Sequence, residues 1–185
     1  MLLSRDELIG TLFRETDRAQ RMKTPLALIL CGIADWPKWR SELGSAALAS
    51  AQDEIAKRIT RILRCYDSVG QIADGEAVLV LPGCNRINAE TMAKRLDAVV
   101  FALPLTISGR QIQFSACFGV VSSGGRSPLV ILRDAERTLR AAMTRGRANA
   151  RGMDENLDPG LRVCPENETH PENIGDLSNH QIGVK

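Results

Sequence analysis

The sequence predicts an α/β (α+β) domain built on a central mixed sheet of about five strands with helices on both faces. Three observations carry that reading. Leu26–Ile33 is a continuous apolar run of strand length, the pattern of a strand covered on both sides. Asp74-Gly75 sits between two short apolar runs, as the turn of a hairpin does. The segments between these runs repeat apolar residues at helical spacing.

Along the chain, Ser4 with Glu7 three residues later is a capping-box signature. Leu8, Leu12 and Ala19 then continue a helical period toward Met22. Thr24-Pro25 ends that helix before the first strand. Ala47, Leu48, Ala51, Ile55, Ile59 and Ile62 give a long amphipathic helix that ends near Arg64. Strands at 68–72 and 77–81 flank the hairpin turn. After Pro82-Gly83, Asn85 caps a helix that runs through Ala89, Ala93 and Leu96 toward Pro104. Ser108-Gly109 reads as a second hairpin turn, and 112–121 as one central strand. Ser127-Pro128 opens a last helix that Gly146 ends.

A chain of 185 residues with 44% hydrophobic and 25% charged residues suits one soluble domain with an appendage. No apolar run approaches membrane-spanning length, and early acids argue against a secretory leader, so a cytoplasmic protein is expected. Cys31, Cys65, Cys84, Cys117 and Cys164 form no CxxC pair. Neither a disulfide framework nor a metal site is expected, and no cofactor. The domain is assigned to 1–152 and an acidic, disordered tail to 153–185. That tail carries seven acids and two bases and leaves a net +7 on the rest. Arg133, Arg137, Arg140, Arg145, Arg147 and Arg151 make a basic stripe, yet nothing interleaved with it indicates nucleic acid. Trp36 and Trp39 read as helix-packing residues or a protein contact; His170 and His180 lack partners.

Separated strings carry a family resemblance. They are Arg18-Ala19 with Thr24-Pro25-Leu26-Ala27-Leu28, Arg64-Cys65-Tyr66-Asp67-Ser68-Val69-Gly70, Val80-Leu81-Pro82-Gly83, Phe118-Gly119-Val120 and Arg145-Gly146-Arg147. Over most of residues 5–151 the chain resembles a GGDEF domain, related to the palm of nucleotidyl cyclases. That family converts two GTP into cyclic di-GMP with a Gly-Gly-Asp/Glu-Glu-Phe hairpin. Here the hairpin reads Ala73-Asp74-Gly75-Glu76-Ala77. The resemblance places the two metal-binding carboxylates at Gly32 and Gly75, a further acid at Ala34, the guanine-reading Asn and Asp at Arg40 and Ala49, and a phosphate-contacting Lys at Met143. Divalent metals need oxygen ligands that these residues lack. Only Glu76 and Arg147 survive, and Asp35 and Asp74 are displaced by one residue, so they point to other faces.

The resemblance also places the family's product-inhibition motif, Arg-x-x-Asp, at Arg64 and Asp67, with Arg95 and Arg18 as further arginines of that site. An aspartate accepts guanine N1 and N2 hydrogens, and a guanidinium forks onto O6 and N7 or onto phosphate. The same four residues read without the resemblance are a surface ion pair and solvated helix arginines. The expectation is a catalytically inactive cyclic di-GMP receptor. The alternatives are a ligand-free interaction scaffold, alone or as a homodimer, and an active cyclase, which the glycines at 32 and 75 disfavour. Neither nucleic acid nor membrane is an expected partner.

Overall fold

The computed structural model describes residues 2–154, with side chains through residue 145. Helix α1 (Arg5–Met22) starts where expected: the Ser4 hydroxyl accepts from the Glu7 amide, and the Ser4 amide donates to Glu7 Oε2 at 2.8 Å. The Ser4 amide, and then the Ser4 hydroxyl donating to the same oxygen at 2.8 Å, hold the Glu7 carboxyl below its ordinary pKa. Ser4→Ala removes one of the few partners available to the first-turn amides. It should lower stability by about 1 kcal/mol, read as a shifted urea midpoint at unchanged slope.

Strand β1 (Leu26–Ile33) is buried along its whole length. It is followed by α2 (Trp36–Leu43), α3 (Ser45–Ile62), β2 (Ser68–Ala73), β3 (Glu76–Pro82) and α4 (Arg86–Leu96). A π-helical turn (Asp97–Phe101), β4 (Leu105–Ile107), β5 (Arg110–Ile112), β6 (Ala116–Ser122) and α5 (Pro128–Asp154) complete the order. Alternation along β1 divides the core. Ala27, Ile29, Cys31 and Ile33 pack with α3 and α4, while Leu26, Leu28 and Leu30 pack with Leu8 and Leu12 of α1 and Ile131, Ala135 and Leu139 of α5. Helices thus cover both faces, and burial pushes the Cys31 thiol far up in pKa.

The sheet differs in detail from the expectation. It has four strands, β2-β3-β1-β6, all antiparallel, and the parallel component is one bridge from Leu3 to Gly70 at the β2 edge. The expected strand at 112–121 is two strands. Phe114 turns into the core at 3% exposure and the Ser115 carbonyl accepts from Ala34 N at 2.8 Å, so β5 pairs with β4 in a separate ribbon. Its turn is the expected Ser108-Gly109, both at positive φ. Gly146 does not end α5, which runs on to Asp154. One glycine costs a helix only about 1 kcal/mol, and its neighbours Arg145, Arg147 and Ala148 favour helix. Of the tail expected over 153–185, Met153 and Asp154 belong to α5, and residues 155–185 lie outside the described residues.

One side chain ties two helices together. Arg58 of α3 donates to the carbonyls of Val100, Leu103 and Pro104 at 3.0–3.3 Å, and so satisfies acceptors that the end of α4 and its π turn leave open. Glu54, one turn earlier, pairs with it at 3.6 Å.

Candidate functional site

The hairpin end of the sheet is filled by the chain itself. Gly32, near the end of β1, pairs with Glu76 and Cys117. A Cβ there would lie 2.3 Å from Met143 Cε and 3.0 Å from Leu139 Cδ2, so α5 occupies the room a side chain would need. Gly75 holds the hairpin turn at φ +73°, and a Cβ on it would lie 2.6 Å from the Trp36 ring. Trp36 is 8% exposed, and its Nε1 has no hydrogen-bond partner among the described residues. Arg40 and Asp74 form an ion pair that joins α2 to the hairpin tip.

Ile33 N donates to Gly75 O at 2.9 Å, which holds the tip against the end of β1. The slot left between α3 and the hairpin measures about 40 Å³, with Ile55, Ile59, Ala77 and Glu76 in its lining. Glu76 is half-buried and has no side-chain hydrogen bond or ion pair among the described residues. Ala34 is half-buried, while Ala49 and Ala73 are exposed. The Arg147 side chain lies outside the described ones. No cluster of three or more His, Cys, Asp or Glu among the described residues could hold a metal ion.

The opposite end of the sheet carries Arg64 and Asp67. Leu63 closes α3 in an extended conformation, and the chain then turns, with Asp67 N donating to Arg64 O at 3.1 Å. Within this turn Asp67 Oδ2 accepts from the Arg64 amide at 2.9 Å, which fixes the carboxylate at the mouth of β2. Partial burial raises the Asp67 pKa, against the lowering pull of the Arg64 amide and guanidinium. The Arg64 side chain is exposed. It donates to the Tyr66 hydroxyl at 2.9 Å and lies 5.8 Å from the Tyr66 ring centre. Cys84, after β3, is close enough for its thiol to feel both groups: burial and then Asp67 raise its pKa, and Arg64 lowers it.

Arg18 borders the same region. A cleft of about 320 Å³ between the end of α1, the 64–67 turn and the end of β3 is lined by Arg18, Met22, Pro25, Tyr66 and Pro82. Arg18 is exposed and pairs loosely with Glu15 at 3.9 Å. Arg95 is exposed on the last turn of α4, with no ion pair among the described residues and no recorded contact to Arg64 or Asp67. Arg18 and Tyr66 thus share one cleft beside the Arg64–Asp67 turn, and no hydrogen bond or ion pair joins Arg95 to that turn among the described residues. Sequence reasoning missed Tyr66, although its place inside the turn, two residues after Arg64, was a signal. It also missed Trp36 and Met143 as fillers, because neither contact is local in the chain.

The family model described as the diguanylate cyclase GGDEF domain matches residues 1–149. No curated protein matches the chain. Among solved structures, diguanylate cyclase SiaD of Pseudomonas aeruginosa, in complex with its activator SiaC, is 23% identical with a TM-score of 0.74. That alignment covers 78% of this chain and 56% of SiaD. The GGDEF domain of FimX from Pseudomonas aeruginosa is 15% identical, with a TM-score of 0.74 over 78% of this chain and 90% of that one. The GGDEF domain of DgcB from Caulobacter crescentus, in complex with c-di-GMP, is 16% identical, with a TM-score of 0.74 over 78% and 85%. At these identities the likeness is one of fold, whereas the family match spans most of the sequence: the chain belongs to the GGDEF domain family.

Proposed function

We propose that this GGDEF domain binds cyclic di-GMP through the Arg64–Asp67 turn and does not synthesise it. One observation carries the loss of catalysis. Both positions at which the resemblance places metal-binding carboxylates are glycines, and the space above each is taken, by Met143 at Gly32 and by Trp36 at Gly75. The slot beside the hairpin is lined mostly by apolar side chains, with Glu76 its one carboxylate, so it offers a metal–triphosphate little to bind to. Arg40, where the resemblance puts a base-reading Asn, is engaged with Asp74 instead.

The receptor half of the reading rests on chemistry. Asp67 keeps one carboxylate oxygen unused by the Arg64 amide, and guanine N1 and N2 hydrogens need acceptors. Arg64 is exposed and held by Tyr66, whose ring also offers a base a stacking surface. Arg18 adds a second guanidinium on the cleft that the Tyr66 side of this turn lines. DgcB, of the same fold, was solved with c-di-GMP. Arg95, exposed on the last turn of α4, is the further arginine that the resemblance assigns to this site.

Titration calorimetry tests both halves. Cyclic di-GMP should give heat at micromolar concentration, GTP should give none with Mg²⁺ or Mn²⁺, and incubation with GTP should yield no cyclic di-GMP above a no-protein control. Product formation would sink the catalytic half. Absence of heat with cyclic di-GMP would sink the receptor half and leave the fold as a protein-binding scaffold.

A further inference from the structure

The solvent face of α5 has no partner among the described residues, and its pattern is ordered along the helix. Leu129 and Val130 stand 57% and 41% exposed at its start. Arg133, Arg137 and Arg140 follow at i, i+4 and i+7, which puts them on one face, opposite buried Ile131, Ala135 and Leu139. Arg137 pairs with Asp134 at 3.0 Å. Neither Arg133 nor Arg140 has an ion pair among the described residues, although Glu136 lies within helical reach of both. The face thus reads aliphatic first and then cationic.

The chain beyond α5 reads in the complementary order. Glu166, Glu168, Glu172 and Asp176 are four acids, with no Lys or Arg anywhere in 163–184, and Ile174 and Leu177 lie at the far end of that acidic stretch. Laid antiparallel to α5, the acids meet Arg140, Arg137 and Arg133 before Ile174 and Leu177 meet Val130 and Leu129. Reach allows it. Arg140 lies fourteen residues back from Asp154, about 21 Å along the helix, and Leu129 about 38 Å. Glu166, twelve residues past Asp154, extends to about 40 Å and Leu177 further still. Pro159-Gly160 supplies turn residues for the reversal.

We propose that residues 166–177 fold back along α5 and cover its arginine face, as an intramolecular shield that competes with anionic polymers or surfaces for those arginines. Each exposed ion pair is weak and screened by salt. The tether offsets this, because a covalently linked segment acts at an effective concentration in the millimolar range. The contact is therefore populated at low salt and released as ionic strength rises, or when a polyanion of higher charge density arrives.

Paramagnetic broadening in the ¹⁵N-labelled full chain tests the proposal, with a nitroxide on Cys164 and the accessible Cys65, Cys84 and Cys117 changed to Ser. At 50 mM salt the amides of 129–140 should lose at least half their intensity while Ile55 and Ile59 of α3, across the sheet, keep theirs, and 500 mM salt should restore them. E166Q/E168Q/E172Q/D176N in the same chain should abolish the broadening. Its absence in the parent, or its persistence in the neutralised variant, overturns the proposal. So does equal broadening in a mixture of spin-labelled unenriched chain with unlabelled ¹⁵N chain, which would make the occupant a second copy. In a second measurement, phosphatidylserine-containing vesicles and a DNA duplex are offered at low salt. The neutralised variant should bind either probe at least fivefold more tightly than the parent; equal binding overturns the shield.

Discussion

Gly75→Asp, which restores a carboxylate to the hairpin, should lower the thermal midpoint by roughly 5–15 °C and produce no cyclase activity. Two costs add. A non-glycine residue at φ +73° pays about 1–2 kcal/mol of left-handed strain, eased for aspartate, and a Cβ 2.6 Å from the Trp36 ring must displace a buried indole at about 1–3 kcal/mol. Gly109→Asp is the matched control, since it takes φ +78° with nothing within 4 Å of the added Cβ and so carries the strain without the clash. Scanning calorimetry of the two variants isolates the Trp36 contribution. Equal midpoints would mean that Trp36 yields freely and that the hairpin position is open. The double variant Gly32→Asp/Gly75→Asp should also stay inactive, because the first aspartate would be driven into Met143 and Leu139.

Arg64→Ala should weaken cyclic di-GMP binding roughly tenfold to hundredfold, the loss of one forked guanidinium contact to a base edge or phosphate. Asp67→Asn should weaken it too, since an amide presents a donor where guanine needs acceptors. The pH dependence has a definite sign. Burial raises the Asp67 pKa, so the protonated form appears at higher pH than for an ordinary aspartate, and protonation converts an acceptor into a donor. Affinity should therefore fall on acidification, starting above the usual aspartate range, and Asp67→Asn should remove that part of the pH dependence. Calorimetry at pH 7 and pH 5 reads both effects. If Arg64→Ala binds as tightly as the parent, the ligand does not use this turn.

Much of the fold was legible because its signals are local. The Ser4–Glu7 cap, the apolar run of β1 and the turns at Asp74-Gly75 and Ser108-Gly109 each depend on residues within a few positions of one another. The reading failed where tertiary packing decides. Phe114 looks like a strand residue until the core draws it inward, and Gly146 looks like a stop until a long, otherwise favourable helix carries through it. The site divided in the same way. The Arg64–Asp67 spacing is visible as text, and so are the glycines at 32 and 75. What fills the space above those glycines comes from Trp36, 39 positions before Gly75, and from Met143, 111 positions after Gly32, and no short-range pattern announces it.

The three carbonyls held by Arg58 have a mechanical meaning. A helix that merely packs on a neighbour can slide by a rotamer change, but α3 and the end of α4 are joined by hydrogen bonds from a single rigid guanidinium. The two therefore move as one lever. Its α4 arm carries Arg95, and its α3 arm runs from Ser45, behind the α2 segment bearing Arg40, to the turn holding Arg64 and Asp67. A displacement of the π turn after α4 would have to break three hydrogen bonds to Arg58 or carry α3 with it.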